Sequence, residues 1–241
     1  RYWFRTLQDS PCSHWQPKMV QLDLAIDRAD YPPLKVSFGP SGKRRVLYIG
    51  HTDGYKNTPY LSEIAALVPN AEFVWIGSGS RPIRGFTPLG AIDLGAQAGR
   101  DLVAQCDFLL TVGKADANPT TILEAMAWGL IPICTPTSGY VGTPSIPNVP
   151  LGDAASAAAI VRGLLAADDS DLLAMQSANW RLLDEHYTWD RFAAQVICAI
   201  GSTESPQLLP ESIRRRATFI FYDVTSPYSR AGRLMWRSRK L

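Results

Sequence analysis

Apolar residues in this chain occur in two patterns: short solid runs, and longer stretches that repeat every 3.6 residues. The solid runs are Arg45–Gly50 (RVLYIG), Glu72–Gly77 (EFVWIG), Asp107–Val112 (DFLLTV) and Leu130–Cys134 (LIPIC). Runs of this length, rich in aliphatic and aromatic residues and closed by turn residues, predict strands buried on both faces. A weaker run over residues 83–90 contains Pro88. A proline cannot donate to a sheet ladder, so this strand is expected at an edge or beside a bulge. The periodic stretches predict helices over Thr58–Val68, Gly99–Cys106, Thr120–Trp128, 153–166 and 169–185. A last helix, capped by Thr188, runs to about Ile200. Within 120–128, Ile122, Leu123, Met126 and Ala127 form the apolar stripe, Asn118 suits the cap, Pro119 suits the first turn and Gly129 stops the helix.

Strands alternating with helices imply an α/β fold, a Rossmann-like parallel sheet wrapped on both faces by right-handed crossovers. In such sheets ligands sit outside the carboxyl ends of the strands. Residues 50–56, 77–79, 116–124 and 137–140 all fall just after strands, so one shared pocket is expected there. Outside the main domain at 41–200 the pattern changes. Residues 1–18 are aromatic (Tyr2, Trp3, Phe4, Trp15) without a period, and 19–33 show a strand-like alternation ending in Pro32-Pro33. Residues 201–241 begin as a Ser/Pro/Glu-rich linker and end in a basic aromatic stretch.

Charge sharpens this division. The net charge of +2 is unremarkable for 241 residues, but residues 201–241 carry eight Lys/Arg against three Asp/Glu, a net +5 that leaves −3 for the rest. That tail reads as disordered or loosely docked, or as a segment attracted to anionic lipid heads through its cations, Phe219 and Trp236; no nucleic-acid motif accompanies it. The four cysteines form no C-x-x-C pair, and three histidines give a metal site little support. Cys106, Cys134 and Cys198 lie in apolar runs and are expected as buried reduced thiols, which suits a cytoplasmic compartment. No apolar run approaches the ~20 residues of a membrane helix. The first residue is not Met, so a fragment, a processed product or an excised piece is expected.

The richest stretch is Asp116–Gly139, DANPTTILEAMAWGLIPICTPTSG. It places Asp116 in the loop before a helix and Glu124 in that helix's first turns. A helix N-terminus offers unpaired N–H groups and partial positive charge to an anion, while two carboxylates accept hydrogen bonds from hydroxyls. A phosphorylated sugar or a nucleotide needs both. Acids near a helix start are also favoured without any ligand, so the bland reading stays open on this chemistry alone.

The same stretch resembles the E-x7-E motif of retaining GT-B-type glycosyltransferases (family 4-like, group 1), in which E-A-M-A-x-G is followed by a buried strand. The resemblance covers roughly residues 19–200. It implies that Glu124 binds the ribose hydroxyls of a nucleotide and Asp116, where the family has Glu, contacts the donor sugar. It implies that Gly50, His51 and Lys56 occupy the positions of a Gly-Arg…Lys clamp on the donor pyrophosphate, with His51 replacing the arginine. A neutral imidazole brings one hydrogen bond and no charge; protonated, it takes over part of the role. Gly77 and Gly79, Asn118, Pro119 and Thr120, and Ser138 and Gly139 complete the implied nucleotide contacts. Ala25-Ile26-Asp27 followed by Tyr31-Pro32 resembles the family's G-V-D-x-x-x-F-x-P hinge segment, so residues 1–40 are expected as a remnant of the link to an absent N-terminal half. His186–Phe192 also looks like the end of the family's second domain, with Trp189 expected to pack.

The expected activity is that of the donor domain of a hexosyltransferase in polysaccharide biosynthesis. It would bind a UDP-, GDP- or ADP-sugar, require no metal or other cofactor, and transfer the sugar with retention to an acceptor glycan or lipid-linked saccharide when paired with an upstream acceptor domain. The alternative is a non-catalytic nucleotide-sugar-binding or scaffold module, suggested by His51 and Asp116; a sugar-nucleotide epimerase is a third. Location at the inner face of a membrane through the tail is expected as an option.

Overall fold

The computed structural model describes residues 13–14, 19–20, 22–41, 43–52, 54–115 and 118–202. The readings placed on Cys12, Trp15, Asp116 and the tail from 203 onward lie outside the described residues. Two compact units divide the chain at 196/197, and of the second only 197–202 is described.

Five strands, β1 (Arg45–Ile49), β2 (Glu72–Ile76), β3 (Thr87–Gly90), β4 (Phe108–Thr111) and β5 (Ile131–Cys134), form one sheet in the order β3-β2-β1-β4-β5. Every pairing is parallel, and β1 registers Val46 with Phe73 on one side and with Phe108 on the other. The prolyl strand is the edge, and its register with β2 slips between Trp75 and Ile76, opposite Pro88 and Gly90. At the other edge, Cys134 N donates to Pro147 O and Val149 N to Cys134 O, so residues 146–149 cover β5.

The helices are α1 (Thr58–Leu67), α2 (Gln97–Ala104), α3 (Thr120–Trp128), α4 (Ala154–Ala166), α5 (Asp169–His186) and α6 (Trp189–Ser202). Side-chain alternation along the strands builds two cores. Val46, Tyr48, Phe108 and Leu110 pack beneath α1 and α4, while Leu47, Val74, Leu109 and Cys134 pack beneath α2 and α3. Strands buried on both sides explain why their sequence reads as solid apolar runs.

Residues 22–33, within the stretch 19–33 whose alternation reads as strand-like, depart from expectation. Their alternation predicts a strand, yet they pair with no strand and contain only a 3-10 turn, Arg28–Asp30. The alternation instead lets Leu24, Ile26, Tyr31 and Leu34 cover the α3 side of the sheet. This strap is tied down by Leu34 N and Lys35 N, both donating to Trp128 O at 2.9 Å. Gln176 Nε2 donates to both Lys35 O (3.0 Å) and Gly129 O (2.7 Å). Buried Lys35 pairs with buried Asp107 at 2.7 Å, and Asp107 also accepts from Gly39 N and Arg45 N. Those bonds satisfy a carboxylate that would otherwise be costly to bury.

Three further expectations change. α2 starts at Gln97, so Gly99 lies inside it and Cys106 beyond its end. Cys198 is exposed, while Cys106 and Cys134 are buried and their thiols pushed up to about 12 by burial. Trp189 is 57% exposed and meets Phe192 edge-on, so it is not the packing residue expected. Thr188 does cap α6, accepting from Arg191 N.

Candidate functional site

The loops that leave the carboxyl ends of the strands are sewn into one rim. After β1, Gly50 O accepts from Trp75 Nε1 at 2.9 Å and Gly50 N donates to Ile76 O at 3.0 Å. The β2 loop then presses on the β1 loop. A Cβ on Gly77, at φ 151°, would lie 2.1 Å from Gly50 O, and one on Gly79 would lie 1.9 Å from Thr52 Oγ1. Gly77 is needed for close approach to the Gly50 backbone, while at Gly79 it is the Thr52 side chain that a Cβ would meet.

His51 sits on this junction. Tyr48 donates its hydroxyl to His51 O at 2.7 Å, which fixes the backbone, and the exposed ring places Nδ1 3.4 Å from Ser78 Oγ. Lys56 ends the 3-10 turn Gly54–Lys56, its ammonium 5.2 Å from the Tyr55 ring centroid. That turn is joined to the β4 loop, because Lys114 N donates to Tyr55 O at 2.8 Å and Asn57 Nδ2 to Val112 O at 3.3 Å.

The β4 and β5 loops are joined in turn. Thr135 Oγ1 and Thr137 Oγ1 both donate to Gly113 O, and Asn118 N donates to Ser138 O at 3.0 Å. Asn118 was expected to cap α3; it does not. It takes the left-handed conformation (φ 53°), and its Oδ1 accepts from Tyr140 Oη at 2.6 Å, which removes it from the helix start. Pro119 occupies the cap position instead, and no side chain caps α3. The start of α3 therefore has no side-chain cap, and it follows directly on Asn118, whose N–H reaches Ser138 O.

Glu124 lies one turn along α3, half-buried. Burial raises its carboxyl above the usual range, and the Thr120 side chain, one turn earlier, offsets part of this. A carboxylate short of solvent beside an uncapped helix start can accept hydroxyl hydrogens while the helix dipole and Lys56 meet an anion. The rim thus joins the stretches carrying Gly50, His51, Lys56, Gly77, Gly79, Asn118, Pro119, Thr120, Ser138 and Gly139. Asp116 lies in the undescribed pair 116–117 of the same loop. Sequence reasoning singled out the stretch 137–140 but not the roles of Thr137 and Tyr140 in holding the rim together, and it missed Tyr48 and Thr135. Threonines directly after a buried strand were the available signal, since their hydroxyls bond nearby turn carbonyls.

No family model matches the chain, and no curated protein is significantly similar to it in sequence. Solved structures are similar in fold. A sucrose-phosphate synthase from Thermosynechococcus elongatus superposes at TM-score 0.62 with 18% identity, over 80% of this chain and 55% of that one. HepE from Anabaena, solved with UDP and glucose, gives 0.56 and 14%, over 74% and 56%. The C-terminal domain of a group 1 glycosyltransferase (LpcC) from Francisella tularensis gives 0.54 and 16%, over 68% of this chain and all of that one. The chain thus spans about half the length of the first two, and its sheet and flanking helices have the Rossmann-like fold of the C-terminal half of GT-B glycosyltransferases.

Proposed function

We propose that this chain is the donor-binding half of a retaining glycosyltransferase. The observation that carries the reading is the single rim, in which an uncapped helix start, a half-buried carboxylate and the loop bearing Lys56 are tied together by hydrogen bonds between strand ends. A nucleoside-diphosphate sugar fits this chemistry. Glu124 accepts from the ribose hydroxyls, and the first N–H groups of α3 with the backbone of Ser138-Gly139 take the diphosphate. Lys56, with His51 when protonated, balances the charge that grows on the diphosphate as its bond to the anomeric carbon breaks. Stabilising that charge is the main catalytic task of such a site. Asp116 contacts the sugar, and an acceptor hydroxyl held by an upstream domain receives it. Residues 1–40 serve as the link to that domain, and the basic tail after 201 serves peripheral contact with a membrane. No described helix is long and apolar enough to cross one.

The test is calorimetric titration of the folded protein with UDP-, GDP- and ADP-sugars. At least one should bind, and Glu124→Ala should weaken it by about 1–3 kcal/mol, the cost of removing a charged hydrogen-bond partner. Heat from none of the three overturns the reading. His51 in an arginine position favours a second reading, a nucleotide-sugar-binding module without turnover. Under that reading binding survives, and no sugar transfer follows when an acceptor domain is supplied.

A further inference from the structure

We propose that Tyr31 is a second recognition group for the hydroxyls assigned to Glu124, so that phenol and carboxylate together hold the ribose diol; this rests on the donor reading above. Tyr31 belongs to the strap, not to the sheet, and the strap is fixed to the end of α3 by the two hydrogen bonds from Leu34 N and Lys35 N to Trp128 O. Its ring stands on Trp128, centroids 5.7 Å apart and planes tilted by 54°. Trp128 and Glu124 are four residues apart on one helix, hence neighbours on the same flank. Helical side chains lean toward the N-terminus, so Glu124 extends from Trp128 toward Thr120 and the rim. Tyr31 therefore overlies the flank on which the Glu124 carboxylate lies.

The hydrogen-bonding state of the pair matches this use. The Tyr31 hydroxyl makes no hydrogen bond among the described residues, although the side chain is only partly exposed. A phenol is a donor at neutral pH, and burial, and next the negative field of Glu124, raise its titration further. A vicinal diol offers two donors and two acceptors. The carboxylate accepts both protons, and the phenol supplies the donor that the diol oxygens lack. In the hinge pattern that 25–33 resembles, the aromatic is Phe, so the hydroxyl is this chain's own addition.

Isothermal titration of UDP, GDP and ADP, each beside its 2′-deoxy counterpart, tests the assignment in the wild type and in Tyr31→Phe. Phe keeps the ring on Trp128, and an unchanged melting curve will show that the strap is intact. The expected result is a fall of about 3- to 10-fold in affinity for the ribonucleotide, the range of one neutral hydrogen bond, with the 2′-deoxy form changed less than twofold. An unchanged ribo-to-deoxy ratio in Tyr31→Phe, whether neither affinity moves or both fall equally, overturns the inference and leaves the donor reading standing. If the folded wild type binds none of the six nucleotides, the donor reading itself falls and this inference with it.

Discussion

At the scale of single residues, Glu124, the proposed ribose acceptor, sits where burial works against its charge. Its carboxyl titrates higher in the folded protein than in the unfolded chain, because burial disfavours the charge. The folded state therefore binds that proton more tightly, and the group withdraws stability as pH rises through the carboxylate range to neutrality. Below the unfolded value both states are protonated and the effect vanishes. Glutamine has the same shape without the charge, so Glu124→Gln should raise the melting midpoint at pH 7–8 by about a degree or two. The gain should shrink toward pH 4, while affinity for the bound nucleotide falls. Melting curves across pH, read beside calorimetry, check both halves. A variant that melts lower than wild type at neutral pH would show that Glu124 stabilises the empty protein, contrary to its burial.

At the scale of elements, the rim depends on loops that approach too closely for side chains. Gly77 and Gly90 both have positive φ, but a Cβ on Gly77 would strike Gly50 O at 2.1 Å whereas one on Gly90 would meet nothing within 4 Å. Gly77→Ala should therefore cost about 2–4 kcal/mol and Gly90→Ala only about 1 kcal/mol in denaturant unfolding, the difference being the clash between the β1 and β2 loops. Equal losses would mean that the loops part without cost. The same scale shows what was legible in the sequence. Strands β1, β2, β4 and β5 were readable because burial on both faces leaves solid apolar runs, and the proline marked the edge strand. The strap was misread because period-two alternation reports one covered face, and a chain lying on helices meets that condition as well as a strand does. Gly99 was read as a helix start, although its Cβ would lie 2.2 Å from Asp93 O and the helix needs glycine there for close passage. Asn118 was read as a cap because its competing partner, Tyr140, is distant in sequence. Local signals thus gave the elements and the residue types of the site, while the contacts that tie loop to loop were set by topology.

At the scale of the molecule, the two ends of the sheet differ in kind. At the amino edge Arg44, Lys35 and Asp107 are already paired. Buried Arg44 donates to Gly39 O at 2.9 Å, Leu165 O at 3.1 Å and Ala167 O at 2.6 Å, and it pairs with Asp169 at 2.5 Å. Its guanidinium thereby closes the end of α4, and the Lys35–Asp107 pair closes the start of β4. At the carboxyl edge the loops are joined to one another, and no side chain caps the start of α3. An anion placed there takes hydrogen bonds from several loops in one event, so its effect should spread along the rim and stop at the sheet. Amide hydrogen exchange with and without a saturating nucleoside diphosphate measures this. Protection should rise together over 50–57, 112–120 and 135–140 and stay unchanged over 39–45 and 164–169. Protection of a single loop would reduce the rim to separate contacts, and protection at the amino edge would move the ligand to the wrong end of the sheet. Concerted protection would mean that the diphosphate fastens the strand ends as a unit, as a donor site shared by several loops requires.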